Sequence, residues 1–238
     1  LNDAFAEQLE RAKLDALKEL AYGASHEINN PLANIAARAQ TLVRDERDPE
    51  RRRALEAIHQ QALRAHEMIS DLMLFARPPR LELATVDVVA VVRQVVAELA
   101  AEGARRDVAL VADAGETGVL GIQADAVQLA VAIQAVVVNA IEAIGRQGRV
   151  EIRLGASEEP GAAAVIEIED DGPGISAEVR PHIFDPFYSG REAGRGLGFG
   201  LSKAWRIVEQ HGGRIVVESP PAGGAKFTIS LPLTPPAG

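Results

Sequence analysis

The sequence predicts an α+β protein in two parts: an N-terminal antiparallel helical hairpin that forms a dimeric four-helix bundle, and an α/β layer sandwich behind it. Three observations carry this. Apolar residues recur every three and four positions through the first 77 residues, the spacing of helices that pack on helices. Pro78-Pro79 stops that pattern, because proline has no amide donor and restricts the residue before it. Beyond it, short apolar runs of strand length are interspersed with longer helical ones, the order expected of strands covered by helices.

The first helix is marked by Leu14, Leu17, Ala21, Ala24, Ile28, Leu32, Ile35, Ala39 and Leu42. The second is entered through Asp48 as N-cap, with Pro49 at the first helical position. It continues through Leu55, Ile58, Ala62, Ala65, Ile69, Leu72 and Ala76. The short Arg44 to Asp48 connection makes the pair antiparallel. One hairpin cannot cover both stripes, so a symmetric homodimer is expected, the alternative being a monomeric hairpin packed on the second part. His59 and His66 lie off the apolar seam and are expected to face solvent. The chain opens in mid-helix at Leu1 and Phe5 with no capping residue ahead, as the C-terminal part of a longer protein would.

The organisation is thus a hairpin over residues 1–77, a linker over 78–86 and a second domain over 87–238. In the last, a helix follows Asp87, strands fall near Val108 to Val111 and Val119 to Ile122, and a helix runs from Asp125 to Ile144. Strands near Val150 to Leu154 and Ala164 to Glu169 come next. A helix between Leu197 and His211 then precedes strands at Arg214 to Glu218 and Lys226 to Leu231. With 238 residues and 47% apolar content, one ordinary core and a smaller helical element can be built. The formal charge of -9 argues against broad binding of nucleic acid or an anionic membrane. Arg93 breaks one apolar run and Gln128, Gln134 and Asn139 another, so no uninterrupted span is expected and this part makes no membrane contact of its own. The absence of cysteine rules out disulfides and suits a cytoplasmic setting.

Chemistry concentrates at three places. His26 stands beside Glu27, roughly 160° around the helix from the apolar stripe, with Asn30 on the same outward face. A lone surface histidine is ordinarily just solvated; what changes its meaning is a nucleotide site in the second domain. There, Asp170-Asp171-Gly172-Pro173-Gly174-Ile175 follows a strand directly, so glycine permits a tight turn and Asp170 offers an acceptor to a purine amine. Gly194-Arg195-Gly196-Leu197-Gly198-Phe199-Gly200 then runs into a helix whose free amides and dipole suit phosphate. The spacing matches neither the P-loop nor the dinucleotide-binding fingerprint.

Taken in order, these residues resemble the cytoplasmic core of a bacterial two-component sensor histidine kinase. Such a core joins a dimerisation and phosphoacceptor hairpin to a catalytic domain of the gyrase, Hsp90, histidine kinase and MutL superfamily. His26-Glu27-Ile28-Asn29-Asn30-Pro31-Leu32 matches the phosphoacceptor box, and Val138-Asn139-Ala140-Ile141-Glu142-Ala143 resembles the box whose asparagine holds Mg²⁺. Asp170, Gly172 and Gly174 match the adenine turn; Ile183-Phe184-Asp185-Pro186-Phe187 resembles the phenylalanine box; Gly194, Gly196 and Gly198, with Leu197 among them, match the phosphate-side glycines. Three positions depart from the pattern: Ala135 replaces an asparagine, Phe199 a leucine, and Arg191 stands where a lid lysine is usual.

The resemblance implies ATP as substrate, Mg²⁺ near Asn139, Arg191 at the phosphates, autophosphorylation of His26 with Glu27 handling the proton, and transfer to an aspartate of a response regulator. Asn30 is implied in dephosphorylating that regulator. Two alternatives stand beside this: a catalytically weak scaffold that binds nucleotide and regulator, and an ATPase clamp of the same superfamily.

Overall fold

The computed structural model describes residues 27–76, 79–115, 120–157, 162–186, 188, 198–220 and 223–235. The chain divides into two compact units, Leu1–Pro79 and Arg80–Gly238.

In the first unit, α1 is helical from residue 27, where description begins, to 45, without a break at Pro31. α2 (Pro49–Ala76) starts where the Asp48-Pro49 signal places it. Asp48 Oδ1 accepts from the amides of Glu50 at 2.8 Å and Arg51 at 3.1 Å, satisfying two donors that the first turn leaves open. Ala36, Ala39 and Ala62 are buried, and their small side chains let the two backbones approach.

His59 and His66 do not face solvent. Both are half-buried, and His59 Nδ1–H donates to the Ala36 carbonyl across the hairpin at 3.0 Å. The apolar stripe is wider than a single seam, so the inner contact is shifted sideways from its centre and takes in the histidines. What remains outside is a row at seven-residue spacing, Ile28, Ile35 and Leu42, which are 39%, 46% and 58% exposed, with Ile58 and Leu63 on the other helix.

The second unit is built on a five-stranded sheet of order β2-β4-β5-β7-β6, comprising β2 (Val108–Asp113), β4 (Gly148–Ala156), β5 (Ala164–Asp170), β6 (Arg214–Glu218) and β7 (Ala225–Leu231). Among the described strands only β2 and β4 pair in parallel. A separate ribbon joins β1 (Ala84–Asp87) to β3 (Gly121–Ala124). β1 therefore takes the last three residues of the stretch read as linker and the first of the second domain. Its short Ala-Thr-Val-Asp run has too little alternation to stand out, and it becomes a strand by pairing with β3.

Three helices accompany the sheet: α3 (Val88–Arg105), α4 (Ala126–Ile144) and α5 (Gly200–Gln210). Side chains of period two decide which face they cover. Val150, Ile152, Ile166, Ile168, Phe227 and Ile229 are buried, whereas the alternate residues carry ion pairs of Arg153 with Glu151 and Glu169, and of Lys226 with Glu167. α4 packs against α3, α5, β4 and β5 and is the centre of the core. It is long and apolar enough to cross a membrane, yet Leu129, Ile133, Val136, Val137 and Ile141 are fully covered within the unit.

His211, at the end of α5, is 1% exposed. Its Nδ1–H donates to the Ile207 carbonyl at 2.8 Å and its Nε2 accepts the Asp125 amide at 3.0 Å. This single ring joins the C-terminal end of α5 to the start of α4. Asp125 in turn caps α4 through Val127 and Gln128, and accepts the Glu82 amide at 3.0 Å.

Candidate nucleotide site

β5 delivers Asp170 to the end of the buried face, where the side chain is 5% exposed. Its Oδ1 accepts the Gly172 amide at 2.9 Å. Burial pushes the carboxyl above the usual aspartate range, opposed by the amides of Gly172 and Ala225. A buried carboxylate with lone pairs to spare is an acceptor held in readiness for a ligand donor.

The turn after Asp170 has no space for side chains. A Cβ on Gly172 would come within 2.8 Å of Asp170 Oδ1 and 3.4 Å of the backbone at Ala143 and Ile144. Gly174 has φ +80°, and a Cβ there would meet Ser219 Oγ at 2.6 Å. Ser219 is the staple of this region: its Oγ accepts the Ile175 amide and donates to the Gly224 carbonyl, both at 2.8 Å. The Gly224 amide donates to Gly172 at 2.8 Å. The β6–β7 connection thereby locks the Asp170 turn from behind.

α4 passes close by. The Gly172 turn abuts Ala143 and Ile144, one helical turn beyond Asn139, which is half-buried. Ala135, one turn earlier, offers no side-chain oxygen. Across the described residues, no cluster of three or more His, Cys, Asp or Glu side chains could hold a metal by itself. The donor set thus fits a Mg²⁺ ion that takes most of its oxygens from phosphate and water and one from the Asn139 amide.

α5 starts at Gly200, with Phe199 in the N-cap position and no side-chain acceptor there to bond the first-turn amides. Gly198, at φ +72°, rests on the backbone of Tyr188: a Cβ would lie 2.2 Å from its carbonyl oxygen. Phe184 packs edge-on against Phe227, 6.4 Å between ring centres, so it faces the core. Its neighbour His182 bonds Asp185 at 2.8 Å on the surface.

The structure thus groups Asp170, Gly172 and Gly174 beside the helix of Asn139, and places Gly198 at the head of α5. Glu27 and Asn30 are exposed on α1. His26, Arg191, Gly194, Gly196 and Leu197 lie outside the described residues. Ser219, Gly224, Asp125 and His211 were not singled out for these contacts from the sequence. The Gly223-Gly224 pair carries a turn signal, but nothing local marks Ser219, whose partners are about forty residues away in one direction.

A helical hairpin is thus followed by a sheet whose buried aspartate opens a glycine turn beside an asparagine-bearing helix, an arrangement suited to a nucleotide. Comparison with known families agrees. Residues 16–80 match a His Kinase A (phospho-acceptor) domain, and residues 124–235 a Histidine kinase-, DNA gyrase B-, and HSP90-like ATPase. The sensor histidine kinase ZraS of Escherichia coli O157:H7 is 34% identical over 95% of this chain and 48% of its own length. The signal transduction histidine-protein kinase AtoS of Escherichia coli K12 is 31% identical over 94% of the chain and 36% of its own length. The chain thus spans about half or less of these curated relatives. Among solved structures, full-length ShkA in complex with AMPPNP superposes with TM-score 0.79 at 24% identity, covering 92% of this chain and 47% of that one. ThkA in complex with the response regulator TrrA gives 0.68 at 23%, over 99% and 67%. The chain belongs to the two-component sensor histidine kinases and comprises their kinase core.

Proposed function

We propose that this chain binds ATP with Mg²⁺ in its second unit, phosphorylates itself on His26, and passes the phosphoryl group to an aspartate of a response regulator, acting as a homodimer in the cytoplasm. The observation that carries the reading is Asp170: a covered carboxylate at a turn stripped of side chains, beside the helix of Asn139.

Asp170 accepts the exocyclic amine of adenine, and the glycines admit the base without steric cost. Asn139 offers its amide oxygen to Mg²⁺, which when bound neutralises phosphate charge. The uncapped amides of α5, with Gly194, Gly196, Leu197, Gly198 and Arg191, receive the phosphates. At His26 the distal ring nitrogen supplies the electron pair for the new N–P bond while the bond from the γ-phosphorus to the β,γ-bridging oxygen breaks and ADP leaves. The proton on the other ring nitrogen passes to Glu27. ShkA was solved with a nucleotide analogue and ThkA with a regulator, which supports the same two partners here.

The homodimer is supported by the row of Ile28, Ile35 and Leu42, which one hairpin leaves uncovered. Asn30, exposed one turn from Glu27, is suited to orient a water against the phosphorylated regulator.

Incubation with γ-labelled ATP and Mg²⁺, followed by mapping of the label, tests the central claim. Label is expected on His26 and absent from His26→Gln, while that variant still binds nucleotide. Acid-labile label persisting on His26→Gln refutes the assignment. For Asn30→Ala, autophosphorylation is expected to persist while regulator dephosphorylation slows; an unchanged dephosphorylation rate removes Asn30 from that step.

A further inference from the structure

The seam between α1 and α2 carries polar residues where packed helices ordinarily place apolar ones. One of them is satisfied, since His59 Nδ1–H donates to the Ala36 carbonyl. Seven residues back along α1 and seven forward along α2, an equivalent layer of an antiparallel pair, stand Asn29 and His66. Asn29 Oδ1 and His66 Nδ1 are both shielded from solvent, and neither has a hydrogen-bond partner. Two orphaned polar atoms at one level of a seam are complementary: an amide oxygen accepts, and a protonated Nδ1 donates. The terminal torsions of both side chains are soft, which leaves each free to turn toward a partner.

We propose that His66 and Asn29 close a polar clasp across the hairpin, Nδ1–H of His66 donating to Asn29 Oδ1, and that His66 is thereby a positioning residue for phosphorylation of His26. Its place on α1 gives the clasp its effect. Pro31 supplies no amide to the Glu27 carbonyl, so the helical ladder lacks a bond between Glu27 and Pro31. Asn29 lies in the middle of that weakened turn and three residues after His26 in sequence. A seam of apolar side chains alone would let this turn rotate or slip, whereas a directional bond fixes its register. The inference rests on His26 being the phosphoacceptor.

The test uses the full chain with His66→Leu, His66→Asn, His66→Gln, Asn29→Ala and the His66→Leu/Asn29→Ala double variant. His66→Leu and Asn29→Ala are each expected to lower the labelling rate at saturating ATP by about ten- to a hundredfold, with KM for ATP unchanged. The double variant should be no slower than the worse single one. His66→Asn, whose amide nitrogen takes the place of Nδ1, should restore most of the rate, and His66→Gln, which reaches toward the Nε2 position, should not.

A parent-like rate in His66→Leu, multiplicative losses in the double variant, or equal behaviour of the Asn and Gln variants overturns the clasp. If the Leu variant fails to fold, the contrast between Asn and Gln decides alone. If the parent itself takes no label on His26, the phosphoacceptor reading fails and the clasp is judged by ¹⁵N-histidine spectra. Those must show a hydrogen-bonded Nδ1 proton on His66 that is lost in Asn29→Ala; an unchanged signal refutes the pair.

Discussion

At the scale of single residues, Asp170 sets function against stability. Its carboxyl is raised because burial strips it of water, so the folded state holds a proton more tightly than the unfolded chain does. The stability linked to that proton is complete below the ordinary aspartate pKa and is lost as pH rises through the folded value. Once ionised, the side chain therefore weakens the unliganded domain. Asp170→Asn is expected to raise the melting temperature of the nucleotide-free protein at pH 7, with the gain shrinking as the solution is acidified through that window. The same variant should lose most of its ADP affinity, since the single amide oxygen is needed by the Gly172 amide and the NH2 group would then face the adenine amine donor to donor. Calorimetric melting and titration with ADP, run on one sample, check both. In the sequence Asp170 was legible because its strand and glycine turn are contiguous. Ser219 was not, because its partners Ile175 and Gly224 converge only after β6 and β7 have paired.

At the scale of elements, boundaries that depend on local chemistry were readable. Asp48 and Pro49 start α2, and Asp87 starts α3 with its Oδ1 accepting the Val89 amide at 3.1 Å. β1 was not, since four residues without a turn signal become a strand only through a partner more than thirty residues away. His59 and His66 show the same limit: periodicity finds a broad stripe, but which edge of it meets the neighbouring helix is fixed by packing. His211 is a link between elements that no pattern announces. Replacing it with leucine keeps the bulk and the backbone bond from residue 211 to the Ile207 carbonyl, but leaves the buried Asp125 amide without its acceptor, at about 1–3 kcal/mol. His211→Leu is expected to lower the urea midpoint of the second unit with its m-value unchanged, as urea denaturation followed by Trp205 fluorescence would report. A midpoint equal to the parent's would show that the ring is not a structural link.

At the scale of the whole molecule, the hairpin's outer row is the feature that asks for a second copy. Ile35→Glu places a charge in the middle of that row, with Ile28 and Leu42 one heptad to either side. Burying it in a symmetric interface would put two carboxylates close together. The variant is expected to sediment as a monomer at concentrations where the parent sediments as a dimer; an unchanged mass would place the dimer contact elsewhere. The second unit carries a different lesson through Gly198 and Tyr188. These two positions lie backbone against backbone, ten residues apart in sequence. Position 198 is therefore barred to every other residue type, and evolutionary drift there would have to be matched by a retreat of the chain at Tyr188.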